Sequence, residues 1–81
     1  MTTTVESPYH SELFREIHAR ARAEGEARGE ASAVLTVLDA RGIVVPPEVR
    51  EQILACTDLA QLDTWLRRAT TATTTDDVLH R

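Results

Sequence analysis

The feature that most constrains this chain is a segment of about thirty residues, 9–41, that can form one continuous helix. Ala, Glu, Arg and Leu dominate the segment, and only two glycines interrupt it. Ser7 and Pro8 suit an N-cap and a first helical residue, and Gly42 suits a helix C-terminus. At 1.5 Å per residue such a helix would be about 50 Å long, which is too long for a small domain to cover.

Two shorter helices are predicted after it, at about 47–56 and 58–69. Pro46 and Pro47 start the first of them, and Asp58 and Gln61 are spaced like a capping box before the second. We therefore predict an all-α fold in which both short helices pack on the C-terminal half of the long helix. Its core is predicted from the apolar residues at helical spacing: Val34, Leu35, Leu38, Val49, Ile53, Leu59, Leu62, Trp65 and Leu66.

The chain is long enough for one domain. Residues 1–7 are predicted to be a disordered N-terminus, residues 8–70 a helical oligomerisation module, and residues 71–81 a flexible tail. Within that tail, Thr74–Asp77 can cap one short helical turn that presents Val78 and Leu79.

A chain of 81 residues buries only about 60% of its unfolded surface, so it needs a further source of stability. The single cysteine, Cys56, allows no intrachain disulfide. His10, His18 and His80 lack the spacing of a zinc site. Association is the remaining source, and we expect a homo-oligomer, with a dimer favoured.

The N-terminal half of the long helix is the predicted interface, because the short helices cannot reach its apolar residues. A heptad reading of this half places Arg20 and Glu24 at core positions, which makes it a poor coiled coil. A row of small residues four apart fits a close helix crossing better. The two glycines in that row cost about 1 kcal/mol each. The predicted interface is Leu13, Phe14, Ile17, Ala21, Gly25, Gly29 and Ala33. Two alternatives stay open, a solvated spacer helix and a break at the glycines.

Composition argues against several functions. The sequence offers no phosphate-binding loop, nucleophile arrangement or cofactor motif, so no catalytic, metal or cofactor residue is predicted and an enzyme is not expected. A net charge of −4 and the absence of lysine make nucleic-acid binding unlikely in spite of Arg15, Arg20, Arg22 and Arg28. No apolar run is long enough for a membrane span. Residues 1–6 lack the features of a secretion signal, so we expect a cytoplasmic protein.

Three segments resemble the C-terminal tail of actinobacterial proteins of the recombination-promoting nuclease (Rpn) type, which are also described as transposases. These segments are residues 23–31, 34–43 and 56–69, which read AEGEARGEA, VLTVLDARGI and CTDLAQLDTWLRRA. The likeness covers about residues 9–79. Nucleases of this type need an acidic residue two positions before a lysine, and this chain has no lysine. The resemblance therefore implies a tail module without the nuclease domain.

Two functions follow as predictions. The first is a non-enzymatic protein–protein interaction module that self-associates through the first helix. The second comes from the resemblance, since short C-terminal products of the family oligomerise and restrain the full nuclease. It is an antitoxin-like regulator that binds and inhibits a full-length Rpn-type nuclease through its matching tail.

Overall fold

A computed structural model of the chain describes the backbone of residues 8–80 and the side chains of residues 12–80. The described backbone contains four helices and no strand. The helices are α1 (Pro8–Ala40), α2 (Pro47–Ala55), α3 (Leu59–Ala69) and α4 (Thr75–Leu79). The all-α prediction is confirmed, and α2 and α3 pack against α1 as expected. The predicted N-cap Ser7 and the segment 1–7 lie outside the described residues.

A single apolar core joins the four helices. It contains six of the nine predicted core residues, and Val49 and Leu66 pack against it half-buried. The residues of α1 in this core begin at Ala27 and end at Leu38, which confirms that the short helices cover the C-terminal half of α1. The buried residues are Ala27, Ala31, Val34, Leu35, Leu38, Ile53, Leu62, Trp65, Ala69, Ala72 and Val78.

The core prediction was wrong for Leu59, which is 39% exposed. Leu59 is the first residue of α3, and it lines the groove between α3 and α1 rather than the core.

Most of the buried core residues that the sequence did not predict are alanines. Ala27 and Ala31 are buried on α1, and their small side chains allow α3 to approach the helix backbone closely. Ala72 and Val78 are also buried, although the sequence analysis placed both in a tail outside the module.

Helix α4 begins with the predicted cap. The amide of Asp77 donates to Oγ1 of Thr74 at 3.3 Å, and the amide of Thr74 donates to the Asp77 carboxylate at 3.3 Å. Arg68 on α3 donates to the carbonyl of Val78 at 3.1 Å, which ties the end of α4 back to α3. These contacts hold Val78 in the core.

The C-terminus of α1 confirms the predicted role of Gly42, which has a φ of 73°. The amides of Gly42 and Ile43 donate to the carbonyls of Asp39 and Leu38, both at 2.9 Å, and this pattern is a Schellman motif. Arg41 directly follows α1, and its guanidinium lies at the C-terminus of α3. It donates there to the carbonyl of Ala69 at 2.9 Å and to the carbonyl of Ala72.

Candidate self-association surface

Helix α1 extends well beyond the core. Every residue from 12 to 26 is exposed, and we call this segment the α1 extension. It is about 22 Å long at 1.5 Å per residue. The radius of gyration is 18.0 Å, whereas a compact domain of this length has about 12 Å. Within residues 12–80, the fold therefore leaves the α1 extension exposed on all sides.

An apolar patch lies on this extension. Leu13, Phe14 and Ile17 are 45%, 50% and 52% exposed, respectively. Together these three side chains leave roughly 300 Å² of apolar surface in water, and patches of that size on monomers are often functional. The patch belongs to the predicted interface and lies on the N-terminal side of Ala27, the first core residue of α1.

His18 borders the patch, although the sequence analysis did not place it in the interface. Its ring contacts the ring of Phe14 edge to face, with the ring centres 4.4 Å apart and the planes at 68°. The four-residue spacing of the two aromatic residues on a helix could have indicated this contact.

Gly25 and Gly29 lie on the face of α1 that points away from the core. Each is two residues from a buried alanine, and two residues correspond to about 200° around a helix. A Cβ added at either glycine would meet no atom within 4 Å. The close helix crossing predicted at these residues therefore does not occur within the chain. A break at the glycines is excluded as well, because α1 is continuous.

The remaining interface residues continue this row in both directions. Ala21 is exposed and Ala33 is half-buried. The row of Ala21, Gly25 and Gly29 forms a smooth, open surface that begins where the apolar patch ends. The structure does not bring all of the predicted interface residues onto one side of α1. Each step of four residues turns a helix by about 40°, so the row winds around the continuous α1 and Leu13 lies about 160° from Gly29.

A groove forms where the N-terminal end of α3 meets α1. It has a volume of about 530 Å³ and is lined by Glu26, Gly29, Glu30, Leu59 and Asp63. Asp63 accepts a hydrogen bond of 2.8 Å from Nε of Arg67. This bond, and then the charge of the same carboxylate, raises the pKa of Arg67 above its ordinary value.

Glu26 and Glu30 leave this groove acidic, because neither forms an ion pair within residues 12–80. The half-exposed Leu59 and the bare backbone of Gly29 give it apolar walls. The groove can therefore take an apolar side chain that has a cation beside it.

Comparison with known proteins identifies no relative. No protein-family model, curated protein or solved structure matches this chain. The resemblance to Rpn-type tails stays a prediction from three sequence segments.

Two further classes of site were tested on the described residues. None of the described helices combines the length and apolarity needed to cross a membrane. Residues 12–80 contain no cluster of three His, Cys, Asp or Glu side chains arranged to hold a metal ion.

Proposed function

We propose that this chain is a self-associating protein–protein interaction module whose assembly surface is the α1 extension. The observation that carries the proposal is the exposure of Leu13, Phe14 and Ile17 on a helix that the rest of the fold leaves uncovered. We assign the chain no catalytic role and expect the assembled form to be the functional one.

The area of the patch supports association of moderate strength. Two copies that bury the patch remove about 600 Å² of apolar surface from water, which is worth about 15 kcal/mol at 25 cal/mol per Å². Association costs about 4–15 kcal/mol in lost translational and rotational freedom. The patch alone roughly offsets the upper end of that cost, so contacts beyond the patch must supply the net affinity.

The charge pattern of the extension is compatible with a helix–helix contact. Three arginines and four glutamates are interspersed along residues 12–26, so a second copy meets both signs of charge rather than a repulsive surface. A solvated spacer helix would share this pattern. It would not need three large apolar residues within a turn and a half of helix, and their exposure favours the interface.

The test is the absolute mass in solution, measured by light scattering over a range of concentrations. The double variant Leu13→Asp, Ile17→Asp removes the patch. Val44→Asp is the matched control, because Val44 is 83% exposed and lies in the connector before α2, far from the extension in sequence.

We expect the wild type and the control to exceed the 9.0 kDa of one chain as concentration rises, and the double variant to remain at 9.0 kDa. Circular dichroism must show the helices intact in all three. A wild type of 9.0 kDa at every concentration overturns the proposal. That result would favour a hetero-partner, and a full-length Rpn-type nuclease would be the first candidate. An oligomer that Val44→Asp dissolves and the double variant does not would also overturn it.

A further inference from the structure

We propose that self-association through the α1 extension is pH-dependent, and that protonation of His18 separates the copies. This inference rests on the proposed self-association and adds a means by which it is regulated. It holds for either direction of the second helix, because it depends only on the position of His18 beside the apolar patch.

His18 is part of the surface that a second copy must cover. Its ring contacts the ring of Phe14 edge to face, with the ring centres 4.4 Å apart. Both side chains are exposed in the single chain. A copy that covers Phe14 therefore also removes water from the imidazole of His18. A neutral imidazole adds aromatic surface to the patch, whereas an imidazolium would have to give up its hydration.

The chain offers His18 no carboxylate to offset that loss. A side chain on a helix reaches residues three and four positions away. For His18 these residues are Phe14, Arg15, Ala21 and Arg22, so two are cations and none is acidic. Within residues 12–80, His18 forms no ion pair. The other described helices bring no charge to it, because the core residues of α1 begin only at Ala27.

The second copy meets His18 with apolar side chains. In an isologous dimer the patch of one copy lies on the patch of the other. Glu12 and Glu16 are the carboxylates level with the patch along α1. At 100° per residue they lie roughly 150° and 110° around the helix from the middle of the patch. They point away from the contact, so the second copy supplies no counter-ion for a protonated His18.

The sign of the pH dependence follows from this arrangement. The free chain can bind a proton at His18 that the assembled chain disfavours, so association is strongest at high pH and weakens as the pH falls. Histidine side chains ordinarily change charge near pH 6.5. A histidine that must release its proton weakens association by up to about tenfold for each pH unit below that value, and a dimer contains two. The Kd should therefore rise about 10- to 100-fold between pH 8 and pH 5.5.

The general effect of charge has the opposite sign. The net charge is −4 with the three histidines neutral, and it moves toward zero as they gain protons. A smaller net charge reduces the repulsion between copies and by itself favours association. Weaker association at low pH would therefore identify a local group at the interface.

His80 provides the matched control. It lies at the far end of the chain, where its Nε2 is 3.7 Å from the carboxylate of Asp76. Protonation of His80 is thus met by a carboxylate and occurs far from the patch in sequence. His10 is a second control, because it precedes the residues whose side chains the structure describes.

Sedimentation equilibrium at pH 8 and pH 5.5 tests the proposal. It gives the Kd of the wild type and of the variants His18→Phe, His80→Gln and His10→Gln, while circular dichroism confirms that the helices persist at both pH values. His18→Phe keeps an aromatic ring beside Phe14 but cannot be protonated. We expect the Kd of His18→Phe to be equal at the two pH values. The wild type and the two glutamine variants should weaken about 10- to 100-fold at pH 5.5.

The outcomes separate this proposal from self-association itself. A wild type that associates equally well or better at pH 5.5 overturns the role of His18 and leaves self-association standing. A pH dependence that persists in His18→Phe, or that is lost in His10→Gln or His80→Gln, does the same. A wild type of 9.0 kDa at every concentration at both pH values overturns self-association.

Discussion

Replacing Gly29 with alanine should stabilise the folded chain. Glycine inside a helix costs about 1 kcal/mol relative to alanine. At Gly29 the new Cβ meets no atom within 4 Å. Gly29 lies between the buried residues Ala27 and Ala31, so this part of α1 unfolds together with the core. The gain should therefore appear in the global free energy of unfolding, as about 1 kcal/mol and about 4–8 °C in Tm.

Gly42→Ala is the matched control with the opposite sign. Gly42 has a φ of 73°, a conformation that costs other residues about 1–2 kcal/mol. The same substitution should therefore lower Tm by a similar amount. Circular dichroism and the fluorescence of the buried Trp65 report both transitions, at a concentration where the chain is monomeric. A fall in Tm for Gly29→Ala would show that the space above Gly29 is not open in the monomer.

Association should respond to Gly29→Ala in the opposite direction. A methyl group inserted into a close helix contact typically costs about 1–3 kcal/mol, which raises a dissociation constant about 5- to 150-fold. The variant would then be more stable as a monomer and weaker as a dimer. If its dissociation constant equals that of the wild type, Gly29 is not in the contact and the predicted interface does not extend to it.

Three further predictions concern the fold. Arg41→Met removes the charged donor to the carbonyls at the end of α3 and should cost about 1.5–3 kcal/mol in urea unfolding; an unchanged midpoint would show that these bonds contribute nothing. Ile53→Ala should cost about 2–5 kcal/mol, because Ile53 is fully buried. Leu54→Ala, at a neighbouring half-exposed residue, is its control, and equal losses would contradict the assigned core. Thr74→Ala removes the cap of α4 and should cost about 1 kcal/mol. Its hydrogen exchange should rise first in α4, and uniform exchange along the chain would argue against a local role.

The sequence was sufficient to predict the helices and where they end, because both depend on local chemistry. The proline at the start of α2, the cap at Asp58, the capping box at Thr74 and the turn at Gly42 all act over a few residues. The exposed patch was predictable for a related reason. Helix length follows from residue count, and a short helix cannot cover a long one.

Contacts between distant parts of the chain were not predictable in this way. Ala27 and Ala31 are buried only because α3 approaches them, and alanine on a helix is equally common in water. Arg41 binds the end of α3 because the connector turns the chain back at that point. Leu59 fits the apolar period of α3, but periodicity does not show that the first residue of α3 lies outside the packed core.

The elongated shape has a consequence for the way this protein behaves on a sizing column. A compact protein with a radius of gyration of 18.0 Å would contain about 250 residues. The monomer should therefore elute earlier than a globular protein of its own length, because an elongated molecule has a larger hydrodynamic radius than a compact one of equal mass. An elution volume read against globular standards would overstate the mass of a single chain.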